Sequence, residues 1–371
     1  MYSGLSRREF IRGLGGSFAS LILAGRSLST PSGTPSAFKM LVVGDSLIWG
    51  QGLREDQKFY YLTKKWIESE ILGGSLPVEL KVLAHSGSTV KLDPEERAAL
   101  EGANRTGFEE LHPEINVSFP TIEKQFRTAA EHYADPEQVD LILISGGIPD
   151  VGVAKIINPL ESNRRLRERI DLYLRGHFRE VLLEGARKFP AAKIAVIGYY
   201  PIITRHTPIK RIVNDILEFY NWPRWAKPLI NNPVKRNLWR LWKGKMIERS
   251  RIWHRGSDET FREIINELNT SSGRERAIFV PSPITERQAF GTRESLLFTA
   301  GRKGRPDDPK GEIRLQECAP ALRGLRNETR LRYRTRFCEL ASIGHPNPEG
   351  SAAIARSIRE GLTPLLSDQA K

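Results

Sequence analysis

A serine near the start of the chain and a histidine near its end have the residue types and settings of a nucleophile and its base. Ser46 follows the apolar run 40–43, which is short enough to be a buried strand. The carboxyl end of an early strand is where α/β folds bind their ligands. His345 lies between Gly344 and Pro346, just before a helical tail. A hydroxyl and an imidazole in these places suit a hydrolase with a serine nucleophile.

Four short blocks, in order along the chain, resemble those of the SGNH/GDSL hydrolase family. The blocks are Gly44-Asp45-Ser46-Leu47, His85-Ser86-Gly87-Ser88, Gly147-Ile148-Pro149-Asp150 and Ser342-Ile343-Gly344-His345-Pro346. The resemblance implies that Ser46 is the nucleophile and His345 the base. It also implies that the backbone N–H groups of Ser46 and Gly87 hold the oxyanion, and that Gly147 shapes the third-block loop. The fold it implies is a flavodoxin-like three-layer α/β/α sandwich.

Two positions depart from the family pattern. Pro149 stands where the family has an asparagine that donates to the oxyanion, and proline has neither an amide side chain nor a backbone N–H. Ser342 stands where the family has the aspartate that orients the histidine. Loss of one oxyanion donor costs about 3 kcal/mol, and loss of the orienting acid lowers the rate by up to about 10⁴-fold. The sequence therefore predicts a slower enzyme, or a protein that has kept the fold without the activity.

Several residues are candidates for the missing acid. Asp150 lies on the third-block loop, Glu339 lies six residues before His345, and Glu286 follows the last predicted strand. Ser342 could instead hydrogen-bond the imidazole without a charge. A backbone carbonyl could also orient the ring in a Ser–His dyad. The sequence leaves these alternatives open.

Strand-like and helix-like segments alternate along the chain, which predicts a mostly parallel sheet with helices on both faces. Further strands are predicted at 78–84, 139–145, 193–199 and 277–281. Helices are predicted at 56–72, 121–133, 161–188 and 349–366. Each predicted block of the site follows a strand or precedes a helix of this pattern.

Two long insertions interrupt the alternation, at about 204–272 and 285–336. Both follow the carboxyl ends of strands, so we expect them to form cap segments over the site. The first contains five of the seven tryptophans, namely Trp222, Trp225, Trp239, Trp242 and Trp253. Trp239 and Trp242 are spaced to share one helix face, so these residues could instead pack a small core of the insertion.

The chain carries a formal net charge of +13, much of it in the two insertions. A basic surface with aromatic residues suits an anionic substrate, an anionic envelope surface or a nucleic acid. The leader argues against nucleic acid as a partner. Residues 6–12 read Ser-Arg-Arg-Glu-Phe-Ile-Arg, typical of a twin-arginine export signal, and a mildly apolar stretch follows at 14–24. A basic amphipathic arm is the alternative interpretation.

We therefore expect residues 1–37 to be a leader and linker, read by the twin-arginine export machinery, and residues 38–371 to form one hydrolase-like domain. The protein is expected to be soluble and exported to the periplasm or the cell exterior. Cys318 and Cys338 could form a disulfide there or stay as two buried thiols. Two cysteines and scattered histidines make no ligand cluster, so neither a metal nor a cofactor is expected.

The sequence thus favours a serine esterase or acyl hydrolase. Its substrate would be an acylated glycan, a lipid or a small-molecule ester, and acyl transfer to a glycan hydroxyl would use the same residues. The alternative is a noncatalytic envelope or ligand-binding protein that retains the hydrolase fold. Pro149 and Ser342 favour this alternative, whereas the presence of both Ser46 and His345 favours the enzyme.

Overall fold

The computed structural model describes residues 37–103, 111–117, 120–212, 233–300, 307–328 and 334–367, with backbone only at 233–238 and 328. The predicted leader, together with Trp222 and Trp225, therefore lies outside the described residues. Within the described residues, no helix is both long and apolar enough to cross a bilayer.

Five parallel strands form one sheet in the order β2-β1-β3-β4-β5. The strands are β1 (Phe38–Gly44), β2 (Val78–Val82), β3 (Leu141–Ser145), β4 (Lys193–Ile197) and β5 (Ala277–Val280). This order is that of flavodoxin-like folds, whose ligands bind where the strand order reverses, between β1 and β3. The predicted flavodoxin-like α/β fold is confirmed.

The central strands are apolar because both of their faces are covered. Every residue of β3 is buried, and Met40 through Gly44 of β1 are buried as well. Such continuous apolar runs are typical of parallel strands between two helical layers. The edge strand β2 is more exposed, with only Val78 fully buried.

The helices follow the strands in the predicted alternation. They are α1 (Ser46–Trp49), α2 (Phe59–Trp66), α3 (Pro94–Gly102), α4 (Ile122–His132), α5 (Ile148–Val151), α6 (Val153–Ile156), α7 (Asn163–Ile170), α8 (Arg179–Lys188), α9 (Pro233–Ser272), α10 (Gly311–Glu328), α11 (Thr335–Glu339) and α12 (Pro348–Leu366). Two π-helical stretches continue the chain, Ile67–Ile71 after α2 and Asp171–Phe178 between α7 and α8.

Strand β5 shows the three layers directly, because its side chains alternate between the two faces. Ile278 and Val280 lie against Gly361 of α12. Phe279 contacts Phe261 of α9 on the opposite face, with ring centroids 6.0 Å apart. The sheet is therefore enclosed between a layer that contains α12 and a layer that contains α9.

The predicted first insertion is too long at its carboxyl end. A parallel pair such as β4 and β5 needs a crossover segment, and α9 is that crossover. From Met246 onward α9 contributes to the main core, where Trp253 and Phe261 are fully buried. The sequence pattern does not reveal this crossover helix, because the apolar residues of α9 are separated by many basic ones.

The second insertion shares a small apolar cluster with residues between β2 and α4, such as Leu100 and Ile115. Cys318 and Cys338 are buried in this cluster and are joined by a disulfide, so the alternative of two separate thiols is wrong. The bridge ties α10 to α11, only seven residues before His345. The disulfide therefore braces the segment that leads into the histidine.

Candidate functional site

Ser46 is the first residue of α1, immediately after β1. Asp45 caps this helix, because its Oδ1 accepts a hydrogen bond of 3.0 Å from the Leu47 N–H. Gly44 has φ +138°, and a Cβ at this position would collide with the carbonyl oxygen of Ser145 on β3. Glycine is therefore needed for the tight strand-to-helix turn that presents Ser46 at the sheet edge.

His345 lies on a turn that is fixed on both sides. Its N–H donates to the Ser342 carbonyl at 3.0 Å, and its carbonyl accepts from the Phe298 N–H at 2.8 Å. The Gly344 N–H in turn donates to the Phe298 carbonyl at 2.8 Å. The imidazole is thus held by backbone bonds between the second insertion and the start of α12.

The structure brings the two predicted residues together. His345 Nε2 lies 2.7 Å from Ser46 Oγ, although 299 positions separate the residues in the chain. For Nε2 to accept the hydroxyl proton, the hydrogen of the neutral ring must be on Nδ1. This is the geometry required for general-base activation of a serine.

Burial controls the protonation of His345. The pKa of the imidazole is lowered to about 4, chiefly by desolvation and also by the charge of Arg314, whereas the carbonyls of Ser342 and Ala341 act in the opposite direction. Nδ1 is buried and makes no hydrogen bond with any described residue. The resting ring is therefore neutral at pH 7 and able to accept a proton.

Gly87 lies near the nucleophile because the His85 N–H donates to the Gly44 carbonyl at 3.1 Å. Its φ is +77°, and a Cβ would collide with Asn116 Oδ1 and lie 2.6 Å from the Val117 carbonyl oxygen. Among the described residues, neither the Gly87 nor the Ser46 N–H donates to a protein acceptor. Both groups are thus available to a ligand oxygen, and their role as oxyanion donors stays a prediction.

The third-block loop is shaped by Gly147, whose φ is +111° and whose missing Cβ makes room for Leu174. Pro149 lies in the first turn of α5. Asp150 accepts from the Val90 N–H at 3.1 Å on each carboxylate oxygen, and burial raises its pKa well above the usual value. Asp150 therefore holds the loop that follows the second block and does not hydrogen-bond His345.

The other two candidate acids also bond elsewhere. Glu339 pairs with Arg336 at 3.2 Å, and Glu286 pairs with Arg251 at 3.1 Å. Neither carboxylate contacts the imidazole. Ser342 is fully buried, and its hydroxyl donates to Asp308 Oδ2 at 2.7 Å.

Sequence reasoning missed the charged residues behind the histidine turn. Arg314 is fully buried and bonds both Glu114, at 2.8 Å, and Asp308, at 2.6 Å. Glu114 also accepts from the side chain of Gln51 at 2.6 Å and so holds the turn after α1. No spacing rule joins positions 114, 308 and 314. Asp308 and Arg314 lie in a strongly charged stretch of the sequence, so their charge does not single them out.

A second buried polar chain links the first block to the third. Tyr199 donates to Asp45 Oδ2 at 2.6 Å, and its own oxygen accepts from the Ile148 N–H at 3.2 Å. The pKa of Asp45 is raised to about 6, because the effect of burial exceeds the opposite effect of the hydrogen bonds from Tyr199 and Leu47. Asp45 is therefore a structural carboxyl beneath Ser46.

Across the described residues, no group of three or more His, Cys, Asp and Glu side chains is arranged to hold a metal ion.

No family model matches the chain, and no curated protein matches its sequence. Similar solved structures include phospholipase A1 from Streptomyces albidoflavus NA297, which is 11% identical with a TM-score of 0.42 over 88% of this chain and 99% of that one. The carbohydrate acetylesterase Est24 from Sinorhizobium meliloti is 12% identical, with a TM-score of 0.39 over 88% and 99% of the two chains. The lipase Lip_vut3 from goat rumen metagenome is 14% identical, with a TM-score of 0.40 over 87% and 97%. Likenesses at this level carry no inference about activity.

The chain thus resembles the SGNH/GDSL hydrolases in its ordered blocks, and it has the flavodoxin-like fold that this resemblance implies. Its departures at Pro149 and Ser342 persist in the structure. What the site can do is inferred below from its own side chains.

Proposed function

We propose that this protein is a serine hydrolase of carboxylic esters, with Ser46 as nucleophile and His345 as general base. The observation that carries the proposal is the 2.7 Å contact between Ser46 Oγ and His345 Nε2 at the carboxyl edge of the sheet. A neutral imidazole at this distance is placed to accept the hydroxyl proton.

The reaction would proceed in two steps. Ser46 Oγ attacks the ester carbonyl while its proton moves to His345 Nε2, and the oxyanion is held by the N–H groups of Ser46 and Gly87. The imidazolium then protonates the leaving alcohol, and an acyl–enzyme ester remains. In the second step water attacks this ester while His345 takes the water proton. The imidazolium then returns this proton to Ser46 Oγ, and the free acid leaves.

The substrate class is an ester of a glycan, a lipid or a small molecule. Transfer of the acyl group to a glycan hydroxyl instead of water would need the same two residues. No step in the proposed reaction requires a metal or an organic cofactor.

We also propose that the protein is exported by the twin-arginine route and works as a soluble enzyme in the periplasm or outside the cell. The Arg7-Arg8 pair of the leader and the disulfide between Cys318 and Cys338 support this location. Exposed basic residues on α9, such as Lys245 and Arg255, would suit an anionic envelope surface.

The proposal is tested by hydrolysis of p-nitrophenyl acetate and butyrate by the full chain. We expect Ser46→Ala and His345→Ala each to lower kcat by at least about 10³-fold, because nucleophile and base act as a unit. Ser69→Ala and His206→Ala are matched controls at exposed positions and should keep full activity. Equal rates in the wild type and the Ser46→Ala variant would refute the proposal and favour a binding protein.

A further inference from the structure

The guanidinium of Arg314 is fully buried, and each of its three nitrogens makes a bond. Nη1 donates to Glu114, and Nε donates to the Glu339 carbonyl at 3.3 Å. Nη2 donates to both Asp308 Oδ2 and Ser342 Oγ, the latter at 3.1 Å. Arg314 therefore joins three parts of the chain: the segment between α3 and α4, the second insertion and the turn that carries His345.

Asp308 is the acceptor that connects this network to the turn before His345. Its side chain is fully buried, and Oδ2 accepts from both Arg314 and the hydroxyl of Ser342. Oδ1 accepts from the Lys310 N–H at 3.0 Å, so the carboxylate is fixed through both oxygens. Three hydrogen-bond donors therefore set the orientation of this carboxylate.

On the same turn, the Nδ1 atom of His345 lacks a hydrogen-bond partner among the described residues. Nδ1 of His345 must carry a hydrogen if Nε2 is to act as the base, yet Nδ1 is buried with no bond to a described residue. A buried donor without an acceptor is destabilising, and more so when the ring becomes charged. The carbonyls of Ser342 and Ala341 act on the ring, but in the resting structure neither they nor the Ser342 hydroxyl makes a hydrogen bond with Nδ1.

We propose that Asp308 is the positioning carboxylate of His345 and acts through the hydroxyl of Ser342. The second insertion then supplies the charge that the family pattern places at position 342. This inference rests on the proposed ester hydrolysis. It assigns a role to Asp308 that none of the sequence motifs indicates.

The hydroxyl of Ser342 could link Asp308 to His345 as a hydrogen-bond relay. Ser342 has one hydrogen, which it donates to Asp308, and two lone pairs, of which Arg314 occupies one. The second lone pair is left for the Nδ1–H of His345. Because the hydroxyl is polarised by the carboxylate, it accepts more strongly than an isolated serine would.

Charge compensation gives Asp308 a second effect. When Ser46 Oγ–H gives its proton to Nε2, the ring becomes an imidazolium, and the charge of Arg314 opposes this step. Glu114 and Asp308 together carry two negative charges against the single positive charge of Arg314. Removal of the Asp308 charge would leave the guanidinium less compensated beside the developing cation.

The test is steady-state hydrolysis by full-length Asp308→Asn and Ser342→Ala, with active sites titrated by a fluorophosphonate. We expect kcat per active site to fall about 100-fold in Asp308→Asn with KM within about 2-fold of wild type, because the lost interaction acts on the proton transfer. Ser342→Ala should fall in the same direction, and Asp307→Asn, at the exposed neighbouring position, should not change.

A swap variant separates positioning from a merely structural role. Asp308→Ser combined with Ser342→Asp moves the carboxylate to position 342, three residues before the histidine. We expect kcat per active site in this variant to be at least about 10-fold higher than in Asp308→Asn. If Asp308→Asn fails to fold, Ser342→Ala still tests the relay, because it leaves the Arg314–Asp308 pair in place. An unchanged kcat per active site in Ser342→Ala, or a swap variant that does not recover, would overturn the proposal.

¹⁵N NMR of the His345 ring in the same proteins distinguishes a failure of this inference from a failure of the proposed ester hydrolysis. If the wild type shows no Ser46-dependent turnover, ester hydrolysis fails as the function. A shift of the Nδ1 resonance in both Asp308→Asn and Ser342→Ala would still support the relay. An unmoved Nδ1 resonance in both variants would overturn it.

Discussion

At the scale of single residues, desolvation decides the protonation states around the nucleophile. It is the largest cause of the lowered pKa of His345 and of the raised pKa of Asp45. The two side chains flank Ser46 and respond in opposite directions, because burial always disfavours the charged form. The base is therefore neutral and the carboxyl beneath it is easily protonated.

This arrangement predicts an unusual pH profile. Because the pKa of His345 is about 4, its neutral form predominates from about pH 5 upward, whereas an ordinary histidine has a pKa near 6.5. We expect kcat/KM for p-nitrophenyl acetate to reach its plateau by about pH 5 and to fall only as the pH drops through about 4.

Asp45→Asn is the control for that profile, because Asp45 is the other group beside Ser46 whose pKa, about 6, lies in this range. The acid limb should remain near pH 4 in this variant. An acid limb centred near 6.5 in the wild type would contradict the account of His345.

The sequence was sufficient to single out Ser46, Gly87 and His345 as candidates, because each lies in a short block with turn-forming neighbours. It could not predict Asp308 or Arg314. Their roles depend on a close approach of the second insertion to the histidine turn, and no local periodicity or spacing encodes such an approach. A buried charge becomes recognisable only when its partners are in place.

At the scale of elements, the strands were the most predictable part of the chain. Each short apolar run became a strand of the parallel sheet, with boundaries that shifted by a few residues. The helix α9 was the least predictable, because a 40-residue crossover rich in basic residues resembles an insertion. Tertiary packing of Trp253 and Phe261 against the core identifies it as a layer helix.

The disulfide gives the prediction at this scale. Cys318 and Cys338 are separated by 20 residues, so removal of the bridge by Cys318→Ala and Cys338→Ala together should lower the free energy of unfolding by about 3 kcal/mol. Because the bridge braces the segment between Arg314 and Ser342, we also expect a lower kcat.

Urea unfolding followed by tryptophan fluorescence measures the first effect of the cysteine variant, and p-nitrophenyl acetate hydrolysis measures the second. Wild-type protein treated with a reductant should change in the same direction. A variant with unchanged stability and unchanged kcat would show that the bridge does not support the histidine turn.

At the scale of the whole molecule, stability should depend on pH through Asp45. Its folded pKa of about 6 lies above the ordinary value of 3.8, so the native state binds more protons between these values. The stabilising effect of the protonated form is complete below about pH 4 and is lost as the pH rises through 6. Relative to Asp45→Asn, the wild type should lose about 3 kcal/mol of unfolding free energy between pH 4 and pH 7.

Urea unfolding of both proteins at each pH measures this difference. The comparison cancels the opposite contributions of His85 and His345, whose lowered pKa values make stability rise with pH over the same range. Asp56→Asn, at an exposed position, is the matched control and should follow the wild type. A wild-type minus Asp45→Asn difference that does not change with pH would contradict the burial argument.

The whole chain also carries a net charge of +13, and its export remains a proposal that rests on the leader motif. The sheet order and the placement of the four blocks at its carboxyl edge could be anticipated from the sequence. The way the second insertion closes behind His345 could not, because it depends on long-range contacts such as the one between Arg314 and Glu114.

The central claim is that Ser46 is a nucleophile activated by His345. The most direct measurement is the rate at which a fluorophosphonate forms a covalent adduct with the full chain, followed by intact mass and peptide mapping. We predict one adduct, on Ser46, which is absent in Ser46→Ala and forms at least about 10³-fold more slowly in His345→Ala. An adduct on another residue, or equal labelling rates in the wild type and His345→Ala, would contradict the account.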